Sequence, residues 1–149
     1  MKTLFDTADR DALLTRLAAL QPDSTRQWGT MSPAQALCHC AIALETGTGD
    51  RPMKQKFLGK ILTPFIRATV LGEKPFGKNS PTDPSFVVRD DKQFDSERDR
   101  LRGLINRFVE RGGDHAGTQT HAFFGKLSGD EWGALMYKHI DHHLRQFGA

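Results

Sequence analysis

Hydrophobic residues recur every three or four positions in four segments of the chain, which is the spacing of one helical face. In two of these segments the spacing itself defines the helix. The first helix is predicted from about Thr7 to Leu20, before Gln21-Pro22. The third is predicted from about Phe94 to Arg111, where Gly112-Gly113 ends it. No run of alternating β-branched residues exceeds Phe86-Val87-Val88, so a β-sheet is not expected.

The second helix has a clear start signal. Ser32 is a favourable N-cap, Pro33 takes the first helical position, and Gln35 completes a capping box. From this start we predict a helix that runs to Thr46 and stops at Gly47, because glycine commonly ends a helix.

The fourth helix has the strongest start signal in the chain. Ser128 and Glu131 form a second capping box. Leu127 and Trp132 occupy the two positions of a hydrophobic staple, which fixes the direction in which the chain enters the helix. We predict that this helix reaches about Phe147.

A long crossover, from Gly47 to Gln93, separates the second and third helices. Its first part, Met53 to Leu71, predicts an extra helix interrupted at Pro64, and the rest predicts an ordered loop. The extra helix can cover the bundle as one wall of a pocket, bind a partner subunit or lie on a membrane surface, and we favour the first. The fold is therefore predicted to be all-α. It is expected to be one domain over residues 1–149, a four-helix bundle with a long crossover between helices 2 and 3.

Three histidines lie on or beside apolar helix faces. When the fourth helix is projected at about 100° per residue, His139 and His143 share an arc with the hydrophobic residues Trp132, Met136, Ile140, Leu144 and Phe147. In the second helix His39 falls at the edge of the apolar arc, beside the small residues Ala36 and Ala43. Small neighbours leave room for something other than a packed side chain.

These three histidines are candidate metal ligands. His139 and His143 are one turn apart and can both reach one ion, and His39 can complete the set from a facing helix. Three protein ligands with open positions are typical of a catalytic metal centre. Imidazole suits zinc, nickel, copper or iron, so the ligand type does not choose among them. The spacing also fits buried histidines that are hydrogen-bonded and hold no metal.

The other three histidines predict less specific roles. His142 projects off the apolar arc and is interpreted as a surface or interface residue in preference to a proton carrier. His121 precedes the fourth helix, where it can anchor a loop or contact a substrate. His115, within Gly-Gly-Asp-His-Ala-Gly, is expected to be a solvated loop residue.

Two cysteines flank His39, and two tryptophans precede or begin the metal-bearing helices. Cys38 and Cys40 each project about 100° from His39, in opposite directions. We expect Cys40 in the core, Cys38 pointing away, and neither on a metal. Trp28 and Trp132 are interpreted as packing residues at helix starts and not as substrate platforms.

Composition limits the classes of function. The chain has 149 residues, 38% hydrophobic and 26% charged, with a net charge of +3, which is typical of a soluble globular domain. No segment approaches the roughly 18 consecutive apolar residues of a membrane span. The basic residues are spread along the chain and not clustered as in a nucleic-acid binder. Cysteine usage and the lack of an export signal favour the cytoplasm. We therefore expect neither a nucleic-acid nor a membrane partner.

Two stretches of the chain resemble the DinB/YfiT superfamily. The stretch from Trp28 to His39 contains a tryptophan, an S-P-x-Q helix start and a histidine in the following turns, as in the second helix of that superfamily. The C-terminal stretch HAFFGKLSGDEWGALMYKHIDHHLRQFG resembles its closing segment, in which an F/P-x-G-x-L-T/S-x-x-E-W start precedes an H-x-x-x-H pair. The long crossover from Arg51 to Phe94 looks like an uncharacterised branch of the superfamily.

The resemblance implies a DinB-like four-helix bundle with a divalent metal, zinc or nickel in the first place, held by His39, His139 and His143. Other members of the superfamily are thiol-dependent transferases or hydrolases, and many are dimers. A metal-dependent enzyme that acts on a small molecule is therefore implied, a hydrolase or a glutathione-type S-transferase, and with it a homodimer. The alternative is a non-catalytic helical bundle whose metal stabilises the fold. The sequence identifies no catalytic acid, base or nucleophile.

Overall fold

A computed structural model describes residues 1–80 and 82–149 of the chain. These residues are mostly helical, as predicted, and the five α-helices among them are α1 (Thr7–Ala19), α2 (Pro33–Thr48), α3 (Phe57–Leu71), α4 (Phe94–Gly117) and α5 (Gly129–Gln146). A short 3₁₀ helix, Pro84–Phe86, lies in the crossover loop between α3 and α4. The prediction of no sheet is wrong at one place. Strands β1 (Thr120–His121) and β2 (Gly125–Lys126) form a small antiparallel ribbon just before α5.

Four of the helices enclose one hydrophobic core. The side chains at its centre come from α1, α2, α4 and α5 and are almost fully buried: Leu13, Leu17, Leu44, Leu101, Ile105, Phe108, Trp132, Ile140 and Leu144. Helix α2 packs along α4 and also contacts α5, so it lies against both. This placement brings the middle of α2 close to the C-terminal half of α5.

Both predicted capping boxes are present. The backbone N–H of Gln35 donates to Ser32 Oγ at 3.2 Å, and the N–H of Ser32 donates to Gln35 Oε1 at 2.9 Å. At the start of α5 the N–H of Glu131 donates to Ser128 Oγ at 3.2 Å, and the N–H of Ser128 donates to Glu131 Oε2 at 2.8 Å. These reciprocal bonds satisfy N–H groups that have no partner within the helix, so the starts of α2 and α5 are fixed locally.

The predicted end of α2 at Gly47 is wrong. The helix continues to Thr48, and Gly49, with a φ of 80°, is the residue that ends it. Gly47 is instead a close-packing position, because a Cβ there would lie 2.8 Å from the ring of Phe108 and 3.1 Å from that of Trp132. Glycine at this place allows α2 to approach α4 and α5 closely.

Helix α4 runs past its predicted end at Arg111 and reaches Gly117. The helical conformation is nevertheless broken at Gly112, whose φ and ψ are 80° and 170°, so the predicted end marks a kink. His115 follows the kink and is not a solvated loop residue. Its Nε2–H donates to the Thr48 carbonyl at 2.9 Å, which satisfies a carbonyl at the C-terminal end of α2.

Helix α3 is continuous, so the predicted interruption at Pro64 is wrong. It rests on the ribbon through the Phe123 carbonyl, which accepts from Gln55 Nε2 at 2.9 Å and from Thr63 Oγ1 at 3.1 Å. Between these contacts Gly59 approaches the same carbonyl so closely that a Cβ would collide with it. Through these contacts α3 covers the ribbon next to α5.

An ion pair joins α3 to the start of α5. Arg67 Nη2 lies 2.6 Å from Glu131 Oε1 and 2.7 Å from Oε2. The opposite face of α3 is apolar and open, with Phe57 77% and Phe65 79% exposed. In the part of the chain that the structure describes, no helix is both long and apolar enough to cross a membrane.

We predict opposite effects for two Gly→Ala substitutions in helices. Gly59→Ala should lower the free energy of unfolding by about 1–3 kcal/mol, because the methyl group forces α3 away from the ribbon. Gly103→Ala on α4 meets nothing within 4 Å and should raise it by up to about 1 kcal/mol through helix propensity. Urea unfolding followed by circular dichroism measures both. Equal effects of the two substitutions would contradict the close approach at Gly59.

Candidate metal centre

The three histidines singled out in the sequence come together between α2 and α5. His39 lies on α2, and His139 and His143 lie one turn apart on α5. Their ring centroids form a nearly equilateral triangle with sides of 4.8, 4.9 and 5.0 Å. One ring nitrogen from each residue lies within 4.8 Å of the others, and the set could therefore hold a metal ion.

The proton on the His39 ring is fixed by the crossover loop. Nδ1 of His39 lies 2.8 Å from the Phe86 carbonyl oxygen, which only accepts hydrogen bonds, so Nδ1 carries the proton. In the neutral ring Nε2 then presents a lone pair. This Nε2 lies 2.9 Å from Nε2 of His139, and in that hydrogen bond His139 is the donor.

Gln146 determines in the same way which nitrogen of the His143 ring carries the proton. Nδ1 of His143 lies 2.8 Å from Gln146 Oε1. The orientation of the Gln146 amide is set in turn, since its Nε2 donates to the Trp28 carbonyl at 2.8 Å. His143 therefore carries its proton on Nδ1 and keeps a lone pair on Nε2. Hydrogen bonding of the outer nitrogen to a fixed acceptor is how metal-binding imidazoles are usually oriented.

Burial keeps the three rings neutral. It lowers the pKa of His143 to about 3 and holds the pKa of His139 well below the usual range, and nearby imidazoles lower both further. Burial also lowers the pKa of His39, although the hydrogen bond to Phe86 partly offsets it. Neutral imidazole is the charge state that binds a metal, so the three rings need not lose a net proton to do so at physiological pH.

No fourth His, Cys, Asp or Glu joins the three histidines within residues 1–80 and 82–149. Cys40 is buried in the core, as predicted, and burial raises its thiol pKa. Cys38 is also buried and faces α4, where Arg100 Nη1 lies 3.7 Å from its sulfur. Burial, followed by the negative charge of Glu97, raises the Cys38 pKa. Neither thiol belongs to the candidate set, and both are held in the unreactive protonated form.

A cavity of about 560 Å³ opens beside the three histidines. Its walls come from α2, α3, the crossover loop, the ribbon and α5, and they are largely apolar: Ile66, Val70, Phe76, Phe86, Phe123 and Met136. None of its described lining residues is Lys or Arg. One carboxylate lines it, that of Asp83, and this group is already held by Lys56 Nζ at 2.5 Å and by Ser85. The cavity thus offers little net charge to a ligand.

His142 has a different place from the one predicted, and Trp28 and His121 line the same cavity. The expected surface position of His142 is wrong, because its half-buried ring lines the cavity between Trp28 and Phe76, with centroids 5.4 and 5.8 Å away. Trp28 itself lines the cavity besides packing at the start of α2, while Trp132 is fully buried as predicted. His121 anchors the turn of the ribbon and also lines the cavity, so both roles considered for it are compatible with its position.

Two residues of the site were outside the sequence prediction. Gln146 follows His143 by three positions on one helix face, and this i,i+3 spacing could have predicted their contact. Phe86 contributes a backbone carbonyl from a distant loop, and a backbone group leaves no trace in the residue type. The sequence could therefore have indicated one orienting acceptor and not the other.

A family model described as "Protein of unknown function (DUF1569)" matches residues 2–149. Searches of curated proteins and of solved structures gave no match to the chain. An uncharacterised family was expected, and one matches almost the whole sequence; the match does not extend to the DinB/YfiT superfamily. On this match, the chain belongs to the DUF1569 family.

Proposed function

We propose that this protein is a divalent-metal-dependent enzyme that acts on a small molecule. The metal ligands are His39, His139 and His143, and the substrate occupies the adjoining cavity. The observation that carries the proposal is the convergence of three neutral imidazoles on the wall of a cavity of about 560 Å³. This volume lies within the range of about 300–1,000 Å³ found for small-molecule sites.

The donor set fits a divalent ion. His39 and His143 already hold their outer protons on fixed acceptors, so their inner nitrogens are free to bind. At zinc–nitrogen distances of about 2.0–2.1 Å, two ligand nitrogens of a tetrahedral ion lie about 3.4 Å apart. The three nitrogens lie within 4.8 Å of one another, so a pair must approach by up to about 1.4 Å to hold an ion. His139 must move its proton to Nδ1, which has no partner among the described residues. Zinc and nickel both suit such a site.

The arrangement supports catalysis better than a purely structural metal. A structural site usually has four protein ligands, whereas only three are present in the described chain. The chemistry that a divalent ion supplies here is a lowered pKa for water or a thiol that reaches it, which yields a nucleophile near neutral pH. The apolar walls exclude bulk water, and Phe86 and Gln146 hold two of the rings in place.

Hydrolysis is the reaction that the cavity favours. A glutathione-type thiol carries two carboxylates remote from its sulfur, and apart from the metal ion no Lys or Arg from the described residues lines the cavity to pair with them. A neutral substrate needs no such partner. Thiol transfer remains the second candidate on the resemblance to the DinB/YfiT superfamily, in which one histidine of the second helix and two of the last form the site. Membership in that superfamily and its four-helix topology are part of the proposal.

From the same resemblance we also propose that the protein forms a homodimer. The exposed apolar face of α3, with Phe57 and Phe65, offers a surface for such contact. The expectation of no nucleic-acid partner stays as a prediction from charge distribution.

Metal content tests the central claim. Protein purified without an affinity-metal step should carry close to stoichiometric zinc or nickel by elemental analysis, and His139→Ala should lose most of it, because two imidazoles hold an ion far less tightly than three. His142→Ala is the matched control: it removes a neighbouring cavity histidine that is outside the set and should keep the metal. Metal-free wild-type protein, or equal metal in the two variants, would refute the site.

Gln146 should increase the affinity for the metal although it does not bind the ion itself. Gln146→Leu removes the acceptor for His143 Nδ1–H and is expected to weaken the metal by about 10–100-fold, the usual effect of losing an orienting partner. Gln146→Glu keeps an acceptor for His143 Nδ1–H but loses the donor to the Trp28 carbonyl, so it should retain more of the affinity than Gln146→Leu. Competition with a chromophoric chelator measures both. If the leucine variant binds as tightly as wild type, Gln146 has no orienting role.

Turnover distinguishes an enzyme from a structural metal protein. We expect hydrolysis of neutral activated esters such as p-nitrophenyl acetate, lost with EDTA and recovered on addition of metal. His139→Ala should give only the background rate. A parallel assay with glutathione and an aryl halide tests thiol transfer. Equal rates for wild type and His139→Ala with every substrate would contradict catalysis at this site.

A further inference from the structure

We propose that His121 is a hydrogen-bond donor, fixed in position, whose Nε2–H binds a carbonyl-type oxygen of an uncharged, largely apolar ligand in the cavity. This inference rests on the proposed function only in placing a small molecule beside the three histidines. It adds a residue with a defined role and a chemical class of ligand.

The backbone of the ribbon turn determines which nitrogen of His121 carries the proton. Nδ1 accepts from the backbone N–H of Phe123 and from that of Phe124, both at 3.1 Å. A nitrogen that accepts two N–H groups cannot hold a proton of its own without pointing it at those donors. The neutral ring must therefore be protonated on Nε2.

The ring is also held in position. It packs against Phe124 and Trp132, with centroid distances of 5.0 and 5.4 Å. The turn beneath it is fixed from the other side, because Gln55 and Thr63 both donate to the Phe123 carbonyl. Rotation of the imidazole would break both backbone bonds to Nδ1, so the Nε2–H has one direction.

The Nε2–H is available to a ligand. No described residue accepts a hydrogen bond from it, and His121 lines the same cavity as His139. Nε2 of His121 is not among the described buried nitrogen and oxygen atoms that lack a hydrogen-bond partner, so solvent can reach it. An oxygen bound to His121 would occupy the cavity that the three histidines also line.

A donor that stays neutral selects its partner by hydrogen bonding and not by charge. Burial lowers the pKa of His121 to about 4, with the Asp83 carboxylate opposing the shift. The two N–H groups at Nδ1 add a geometric reason for the ring to resist protonation. In the metal-free cavity, with no cationic side chain among the described lining residues, an uncharged ligand is favoured over an anion. Carbonyl oxygens of ketones, esters and amides are good acceptors of this kind.

The first test measures the tautomer in the protein alone. Long-range ¹H–¹⁵N correlation spectra of the histidine side chains should show His121 protonated on Nε2 and unprotonated on Nδ1 at pH 7, and unchanged at pH 5.5. A ring protonated on Nδ1, or charged at pH 5.5, would overturn the proposal before any ligand is added.

The second test uses a matched pair of probes, acetophenone and ethylbenzene, which differ mainly in the acceptor oxygen. Ethylbenzene is the more apolar of the two and would bind better to a cavity without a donor. We expect wild-type protein to prefer acetophenone by about fivefold in ligand-observed NMR titrations, the effect of one hydrogen bond in a partly dry site. Equal binding, a preference for ethylbenzene or no acetophenone binding would overturn the ligand class.

Two variants distinguish the role of His121 Nε2–H as a donor to the ligand from the role of Nδ1 in anchoring the ribbon turn. In His121→Asn the side-chain oxygen takes the place of Nδ1 and keeps the backbone bonds, whereas the Nε2–H is lost. The preference for acetophenone should disappear in this variant while ethylbenzene binds as in wild type. His121→Phe removes the anchor as well and should lower the unfolding temperature. Retention of the preference in His121→Asn would refute the role of the donor.

Treatment with EDTA separates this inference from the proposed function. The preference for acetophenone should persist in the metal-free protein, since the donor is His121 and not an ion. Benzoate should bind metal-free protein more weakly than acetophenone. A preference that vanishes with the metal would refute the His121 donor and leave the metal site intact. Absence of metal from purified protein, with the preference retained, would do the reverse.

Discussion

The hydrogen bond from His39 Nδ1 to the Phe86 carbonyl is the contact on which the candidate site depends most. It sets the direction of the lone pair on His39 Nε2, and it ties the crossover loop to the middle of α2. Without it, the ring could carry its proton on either nitrogen, and the hydrogen bond with His139 would have no defined polarity. One backbone carbonyl thus orients a side chain from another part of the chain and closes one wall of the cavity.

The helices provide the platform that makes this contact possible. Gly47 allows α2 to lie close to Phe108 and Trp132, so His39 is held against α5 by the packing of the core. Two of the three candidate ligands come from α5, whose start is fixed by a capping box. The apolar walls and the buried imidazoles lower the pKa values together, because the same burial that excludes water also disfavours the charged rings. Burial of the site by the fold thus determines the protonation state of the imidazoles.

Features determined within one helix could be predicted from the sequence. Capping boxes located the starts of α2 and α5, and helical projection placed His139 and His143 on the inward face. Features that depend on contacts distant in sequence were missed. Gly47 has the residue type of a helix end, but packing against two aromatic rings overrides that tendency. The cavity positions of His142 and Trp28 depend on where the crossover lies, and pattern alone could not locate it. Helix α3 continues through Pro64, and most of the residues around Pro64 on this helix are exposed.

Glu131 connects α3 to the start of α5. Its carboxylate accepts from the Ser128 backbone and also binds Arg67 on α3. If α3 moved far enough to enlarge the cavity, Arg67 would move with it. The Glu131 carboxylate at the start of α5 would then lose its charged partner. The same carboxylate therefore serves both the seating of α3 over the cavity and the start of the helix that carries His139 and His143, so one substitution at Glu131 would weaken both.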